Sequence, residues 1–201
     1  AGTGKITVKG KGNYTGTKTV TFTITKASQG LSVTKSSYTK TVGNSSFSLG
    51  AKTKNGPGKF TYKSSASSVA SVDSKGKVTI KGAGYAKITI TAAGNTNYAQ
   101  ESKTVAVIVQ PKKQNITSVK PTSGSGLKVA WTKDAQANGY KVEYSKNKKN
   151  WSSKTVKGST STTLTGLAEG TVYYIRVCSY VTANSKKYYG EYSAVKKAST
   201  K

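Results

Sequence analysis

Lys18-Thr-Val-Thr-Phe-Thr-Ile24 alternates without a break, so that Val20, Phe22 and Ile24 point one way and Thr19, Thr21 and Thr23 the other. Successive Cβ atoms of a strand leave opposite faces of the pleat, and this period of two therefore describes a strand with one buried face. The remainder of the 201 residues reads the same way. Apolar residues make up 34%, Pro occurs 3 times, and Gly, Ser and Thr separate short β-branched runs. No 3.6-period apolar face lasts longer than a turn or two, so the chain is expected to be all-β.

Working outward from this strand exposes an internal repeat. Lys5-Ile-Thr-Val8, Gly12-Asn13, Tyr14 and Lys18-Thr-Val20 recur in order as Lys87-Ile-Thr-Ile90, Gly94-Asn95, Tyr98 and Lys103-Thr-Val105. The second copy closes a unit of roughly 85 residues; the first has nothing before it. A lone two-stranded hairpin is marginal in water. Residues 1–26 therefore read as the C-terminal hairpin of a truncated repeat, with Ala1-Gly-Thr-Gly4 resembling a cut inside a longer protein. Residues 27–111 form the next unit, with strands expected at Leu31–Thr34, Ser46–Leu49, Phe60–Ser64, Val69–Val72, Lys77–Ile80, Lys87–Thr91 and Thr104–Val109. Asn55-Gly-Pro-Gly58 and Ser74-Lys-Gly76 are its turns. Tyr14 and Tyr98, repeated at one place, are expected to pack the hairpin crossover. Gln110-Pro111 and Lys112-Lys-Gln114 link to a third unit, 112–201.

The inventory of reactive side chains is short. There are 33 Lys and Arg against 6 Asp and Glu, no His and 1 Cys, giving a formal charge of +27. Without imidazole, a triad, a proton relay or a zinc finger cannot be assembled, and one thiol makes neither a Cys₄ site nor a disulfide. Asp73, Glu101, Asp134, Glu143, Glu169 and Glu191 are scattered, with no spacing suited to a calcium loop or a glycosidase pair. No catalytic, metal or cofactor residue is assigned, and the chain is expected not to be an enzyme. Arg176 is the lone Arg, so specific nucleic-acid readout is not expected. The lysines divide equally between 1–111 and 112–201, which fits non-specific attraction to anionic wall polymers or glycans rather than a focused site. No apolar run reaches the length of a membrane span.

Two resemblances add to this reading. Val69-Ala-Ser-Val-Asp73, Gly76-Lys-Val78 and Gly82-Ala-Gly84-Tyr-Ala86-Lys-Ile88-Thr-Ile90 are similar to the bacterial immunoglobulin-like group 2 repeat. Leu127, Val129 and Trp131, then Tyr140, Val142 and Tyr144, then Leu164 and Leu167-Ala-Glu-Gly170 with Tyr173, Ile175 and Val177, resemble a fibronectin type III domain. The resemblance implies tandem immunoglobulin-like β-sandwiches preceded by the hairpin. It assigns structural roles to Trp131 in the core and to Leu167 and Tyr173 at the family's tyrosine corner. Tyr174, Arg176 and Cys178 then face outward, as does Glu143, leaving no inward acid for a Lys–Asn isopeptide crosslink. An Arg-Gly-Asp loop is absent.

Contact residues are sought among aromatics without a clear core slot: Tyr85, Trp151, Tyr180, Tyr188 and Tyr189, because Tyr and Trp give stiff contact area at low entropic cost. The structural alternative is that alternation buries one of Tyr188 and Tyr189 and that Trp151 covers a sheet edge. The resemblance implies a modular adhesin or stalk at the surface of, or secreted by, a Gram-positive gut bacterium. It further implies a host protein ligand, immunoglobulin among the candidates, met at a sheet edge or the 110–114 junction. An accessory module of a wall or polysaccharide enzyme is the alternative.

Overall fold

The computed structural model describes residues 1–201 and is built from strands alone. β1 (Gly2–Lys9) and β2 (Thr17–Ile24) pair antiparallel as a separate two-stranded sheet. Gly4 lies opposite Phe22, Ile6 opposite Val20 and Val8 opposite Lys18. Directly opposed residues share a face, so Ile6, Val8, Val20, Phe22 and Ile24 form one apolar surface, and all five are exposed.

The next unit contains β3 (Ser37–Thr41), β4 (Phe47–Ser48), β5 (Phe60–Ser64), β6 (Ala70–Val72), β7 (Lys77–Ile80), β8 (Gly84–Ala92) and β9 (Glu101–Gln110). Sheet β3-β9-β8-β5 packs on sheet β4-β7-β6. Between them lie Leu31, Leu49, Ala70, Val78, Ile88, Ile90, Val105, Val107 and Val109. The β6–β7 turn follows from Asp73, whose carboxylate accepts the N–H groups of Lys75 and Lys77, each at 2.9 Å. Gly76 then takes φ +76°, and a Cβ there would meet the Tyr62 ring at 2.7 Å. Glycine is required on both counts.

Two expectations, one for this unit and one for the hairpin, need correction. Leu31–Thr34 is not a strand: Ser32 makes only an isolated bridge to Lys52, while Leu31 anchors in the core. Glu101 holds that segment in place by accepting the N–H groups of Gln29 at 2.6 Å, Gly30 at 3.2 Å and Leu31 at 2.8 Å. The strand lies instead at β3, which runs parallel to β9 with Ser37 opposite Ala106. Its Ser-Tyr-Thr-Lys-Thr composition carries no apolar alternation, because it is an edge strand with only Tyr38 packed inward. Tyr14 does not pack a crossover either; it is 80% exposed, whereas Tyr98 is half-buried and bridges to Ala27.

The last unit runs through β10 (Ile116–Thr122), β11 (Gly126–Trp131), β12 (Gly139–Ser145), β13 (Ser152–Val156), β14 (Ser161–Leu164), β15 (Val172–Ala183), β16 (Lys186–Tyr189) and β17 (Lys196–Ser199). β10-β11-β14 forms one sheet; β13-β12-β15-β16, with β17 also on β15, forms the other. Trp131 is buried against Tyr140, with ring centroids 5.4 Å apart. Tyr173 is buried, its hydroxyl accepting the Ala168 N–H at 3.1 Å, and Leu167 packs on the same core.

Candidate interaction surface

The outer face of the five-stranded sheet is organised around one carboxylate. Strand register puts Glu143 opposite Arg176 and Lys141 opposite Cys178. Arg176 donates from Nε to Glu143 Oε2 at 2.8 Å, and its Nη2 lies 2.7 Å from the same oxygen. Tyr192 Oη donates to Glu143 Oε1 at 2.7 Å, and Lys141 Nζ pairs with that oxygen too. The guanidinium is sandwiched between the rings of Trp151 and Tyr192, 4.1 Å from each centroid. Burial pushes the Glu143 carboxyl up, but hydrogen bonds from Lys141, Tyr192 and Arg176 outweigh it and hold the group below its ordinary range. Burial, and next the bond to Glu143, push the Tyr192 phenol far up, so it stays a donor.

Around this centre the rings are covered by cations. Lys148 Nζ stands 4.5 Å above Tyr174 and Lys187 Nζ 4.5 Å above Tyr180, while Lys141 Nζ is 5.8 Å from Tyr189. Trp151 is positioned by the β12–β13 turn, where Asn147 Oδ1 accepts the N–H groups of Lys149 and Asn150. Lys148 takes φ +60° there, and its carbonyl accepts the indole N–H at 3.0 Å. Half of the indole is thereby committed to Arg176 and the turn.

Other aromatics are placed differently from the sequence expectation. Tyr180 is fully buried beneath Tyr189, ring centroids 5.6 Å apart, so as folded it offers no contact surface. Cys178 is not an isolated side chain on an open face: it is fully buried, and burial pushes its thiol up to about 11, which leaves it unreactive. Glu143 does face outward, yet the Tyr192 and Arg176 side chains close over it. Tyr85 and Tyr188 stack on each other across the two sandwiches, centroids 6.2 Å apart and planes at 19°. On this side Tyr189 is exposed, and Trp151, Tyr174 and Tyr192 are half-buried.

The Tyr85–Tyr188 stack belongs to a continuous junction. Gln136 Oε1 accepts the Ala83 N–H at 2.8 Å. Ser179 Oγ donates to the Lys112 carbonyl at 3.1 Å, and buried Gln114 donates to the same carbonyl at 2.7 Å. Gly190 lies so close to the linker that a Cβ on it would stand 2.7 Å from the Pro111 carbonyl oxygen. Alternation along β15 already turns Arg176 outward, as it does Glu143 on β12. What the sequence does not contain is the register that joins them, nor Tyr192, Lys141 and Gln136 as partners, because each contact depends on how non-adjacent elements align.

Comparison with known families agrees with this architecture. Residues 50–94 match the family described as intimin, immunoglobulin-like domain, a stretch that includes the Val69–Ile90 phrase. Residues 110–198 match the fibronectin type III domain. Two family models thus match in succession, each over less than half of the chain, and immunoglobulin-like and fibronectin type III domains suggest a modular extracellular interaction or stalk segment. Among solved structures, the FN5 domain of Drosophila Lar is 20% identical with a TM-score of 0.37, covering 45% of this chain and 96% of that one. The FN1–FN3 domains of chicken CNTN1 are 20% identical with a TM-score of 0.40, covering 63% of this chain and 46% of that one. The 6th fibronectin type III domain of human fibronectin type III domain containing protein 3 is 19% identical, TM-score 0.36, over 44% of this chain and 83% of that one. No curated protein matches the chain. Domains of both kinds are typical of extracellular proteins, and no helix is long and apolar enough to cross a membrane.

Proposed function

We propose that the chain is a non-catalytic segment of a bacterial surface or secreted adhesin, from a Gram-positive gut organism. In this reading it holds weak host-protein contacts away from the cell, with host immunoglobulin the first ligand to examine. The observation that carries the reading is the junction: Tyr85 on Tyr188 and Gln136 on Ala83 dock the two sandwiches, and Ser179 ties the linker to the second through the Lys112 carbonyl. A spacer needs such a fixed joint, because a flexible linker lets neighbouring domains fold back on each other. The Lys field surrounds the aromatics of the outer sheet and draws anionic wall polymers or glycans without selecting among them. Tyr189 and Trp151 supply the specific contact.

The test is binding of the full chain to immobilised purified immunoglobulin at physiological salt and again at several-fold higher salt. The account expects retention at both salt levels, weakened at least ~10-fold by Tyr189→Ala, as for an interface aromatic worth more than 1 kcal/mol. Retention that vanishes on raising the salt is the signature of the lysine field alone and contradicts specific recognition. So does no retention at all.

A further inference from the structure

The exposed apolar surface of β1–β2 reproduces, position for position, a surface that is buried elsewhere in the same chain. Ile6 opposite Val20 corresponds to Ile88 opposite Val105, and Val8 opposite Lys18 to Ile90 opposite Lys103. In the same register Phe22 falls at Val107, Ile24 at Val109, Gly2 at Gly84 and Gly4 at Ala86. Ile88, Ile90, Val105, Val107 and Val109 are 0% exposed, whereas Ile6, Val8, Val20, Phe22 and Ile24 are 45–61% exposed. Phe22 fills space that its partner gives up: a Cβ on Gly4 would lie 2.3 Å from the Phe22 ring. A larger residue facing a smaller one keeps the pair's volume close to that of Val107 with Ala86, as a packed core requires.

The ends of the hairpin match as well. Ala1 occupies the place of Ala83; its terminal ammonium donates to Asn97 Oδ1 at 2.7 Å and to the Thr96 carbonyl at 3.1 Å, whereas Ala83 donates a peptide N–H to Gln136 Oε1 at 2.8 Å. At the other end Ala27 takes the place of Lys112; its carbonyl accepts the Ala99 N–H at 2.9 Å, as the Lys112 carbonyl accepts from Ser179 Oγ. The hairpin thus meets residues 27–111 at its ends, through Ala1 and Ala27.

We propose that the apolar face and both free edges of β1–β2 are the docking surface for an immunoglobulin-like half-sandwich of the same type as residues 27–83, covalently joined ahead of Gly2. Its facing sheet supplies the equivalents of Leu31, Leu49, Ala70 and Val78. One strand pairs antiparallel along β1, as β5 does on β8, and another parallel along β2, as β3 does on β9. The established interface between sheets β3-β9-β8-β5 and β4-β7-β6 thus has a second instance here. Charge argues against a second copy as the occupant: each copy carries +27, and Lys5, Lys9, Lys18 and Lys26 surround the hairpin. Like charge raises the barrier to association within a Debye length of roughly 8 Å. A tethered partner also avoids the entropic cost of a bimolecular encounter. The inference stands on register and does not depend on the adhesive role.

The experiment fuses residues 27–83 ahead of Gly2 of the full chain and follows backbone amide exchange of residues 2–24. In the unfused chain these amides exchange at rates near those of an isolated hairpin. In the fusion they slow at least ~100-fold, as local opening gives way to opening of a whole sandwich. Ile6→Asp in the fusion restores fast exchange to residues 2–24 while residues 84–110 stay protected, an internal control for folding. Unchanged exchange in the fusion overturns the proposal. Protection of the unfused chain that rises with concentration, with a dimer in sedimentation, overturns it in favour of a second copy.

Discussion

Arg176 and Glu143 show how a lysine-dominated surface acquires structure at the level of single residues. A buried carboxylate is stable only when its lone pairs are satisfied, and Glu143 receives Arg176, Tyr192 and Lys141. The planar guanidinium serves this place as a Lys could not, because it bonds in its plane while both faces stack on Trp151 and Tyr192. The same scale offers a matched pair of substitutions. Ile88→Ala should destabilise the immunoglobulin-like unit by about 2–5 kcal/mol, the usual cost of a core cavity. Ile6→Ala, at the equivalent place in β1, should stay within about 0.5 kcal/mol, both read from urea unfolding. Periodicity alone showed that Ile6 and Ile88 belong on an apolar face. It carried no information on whether anything covers that face, which depends on the rest of the repeat.

Among the elements, the turns and the central strands were legible and the edges were not. The β6–β7 turn is written locally in Asp73 and Gly76, and β8 alternates with a full apolar face, so both follow from neighbouring residues. β3 escaped notice because an edge strand needs few apolar side chains, and Leu31–Thr34 misled because its apolar residues serve a loop anchored from 70 residues away. That anchor has a measurable pH signature. The Ser28 hydroxyl foremost, then the Leu31, Gln29 and Gly30 N–H groups, bring the Glu101 carboxyl from its ordinary 4.5 down to about 2. A depressed carboxylate contributes stability that is fully present above its unfolded value and is lost as pH falls through the folded one. Glu101→Gln should therefore be less stable than the parent chain at pH 6. The gap should narrow between pH 4.5 and about 2, followed by urea midpoints across that range. A constant gap would mean that Glu101 acts through shape rather than charge.

For the whole molecule, the +27 charge first served to exclude chemistries that need imidazole, paired acids or thiols. Its lysines divide equally between residues 1–111 and 112–201, so it is a property of the outer surface, and any specific contact falls to rings that keep an open face, Tyr189 and the outer half of Trp151. Of the five aromatics singled out by sequence, the tertiary structure withdraws Tyr180 into the core and spends Tyr85 and Tyr188 on each other. No sequence period encodes that pairing, because the two tyrosines lie in different domains. The stack and the Gln136–Ala83 hydrogen bond join residues 27–111 to 112–201, and the proposed spacer role requires the two to move as one body. Residual dipolar couplings measured on the full chain test this most directly: residues 27–111 and 112–201 should fit a single alignment tensor, and Tyr188→Ala should split it. Two tensors of different magnitude in the unaltered chain would show the domains moving independently and contradict the account.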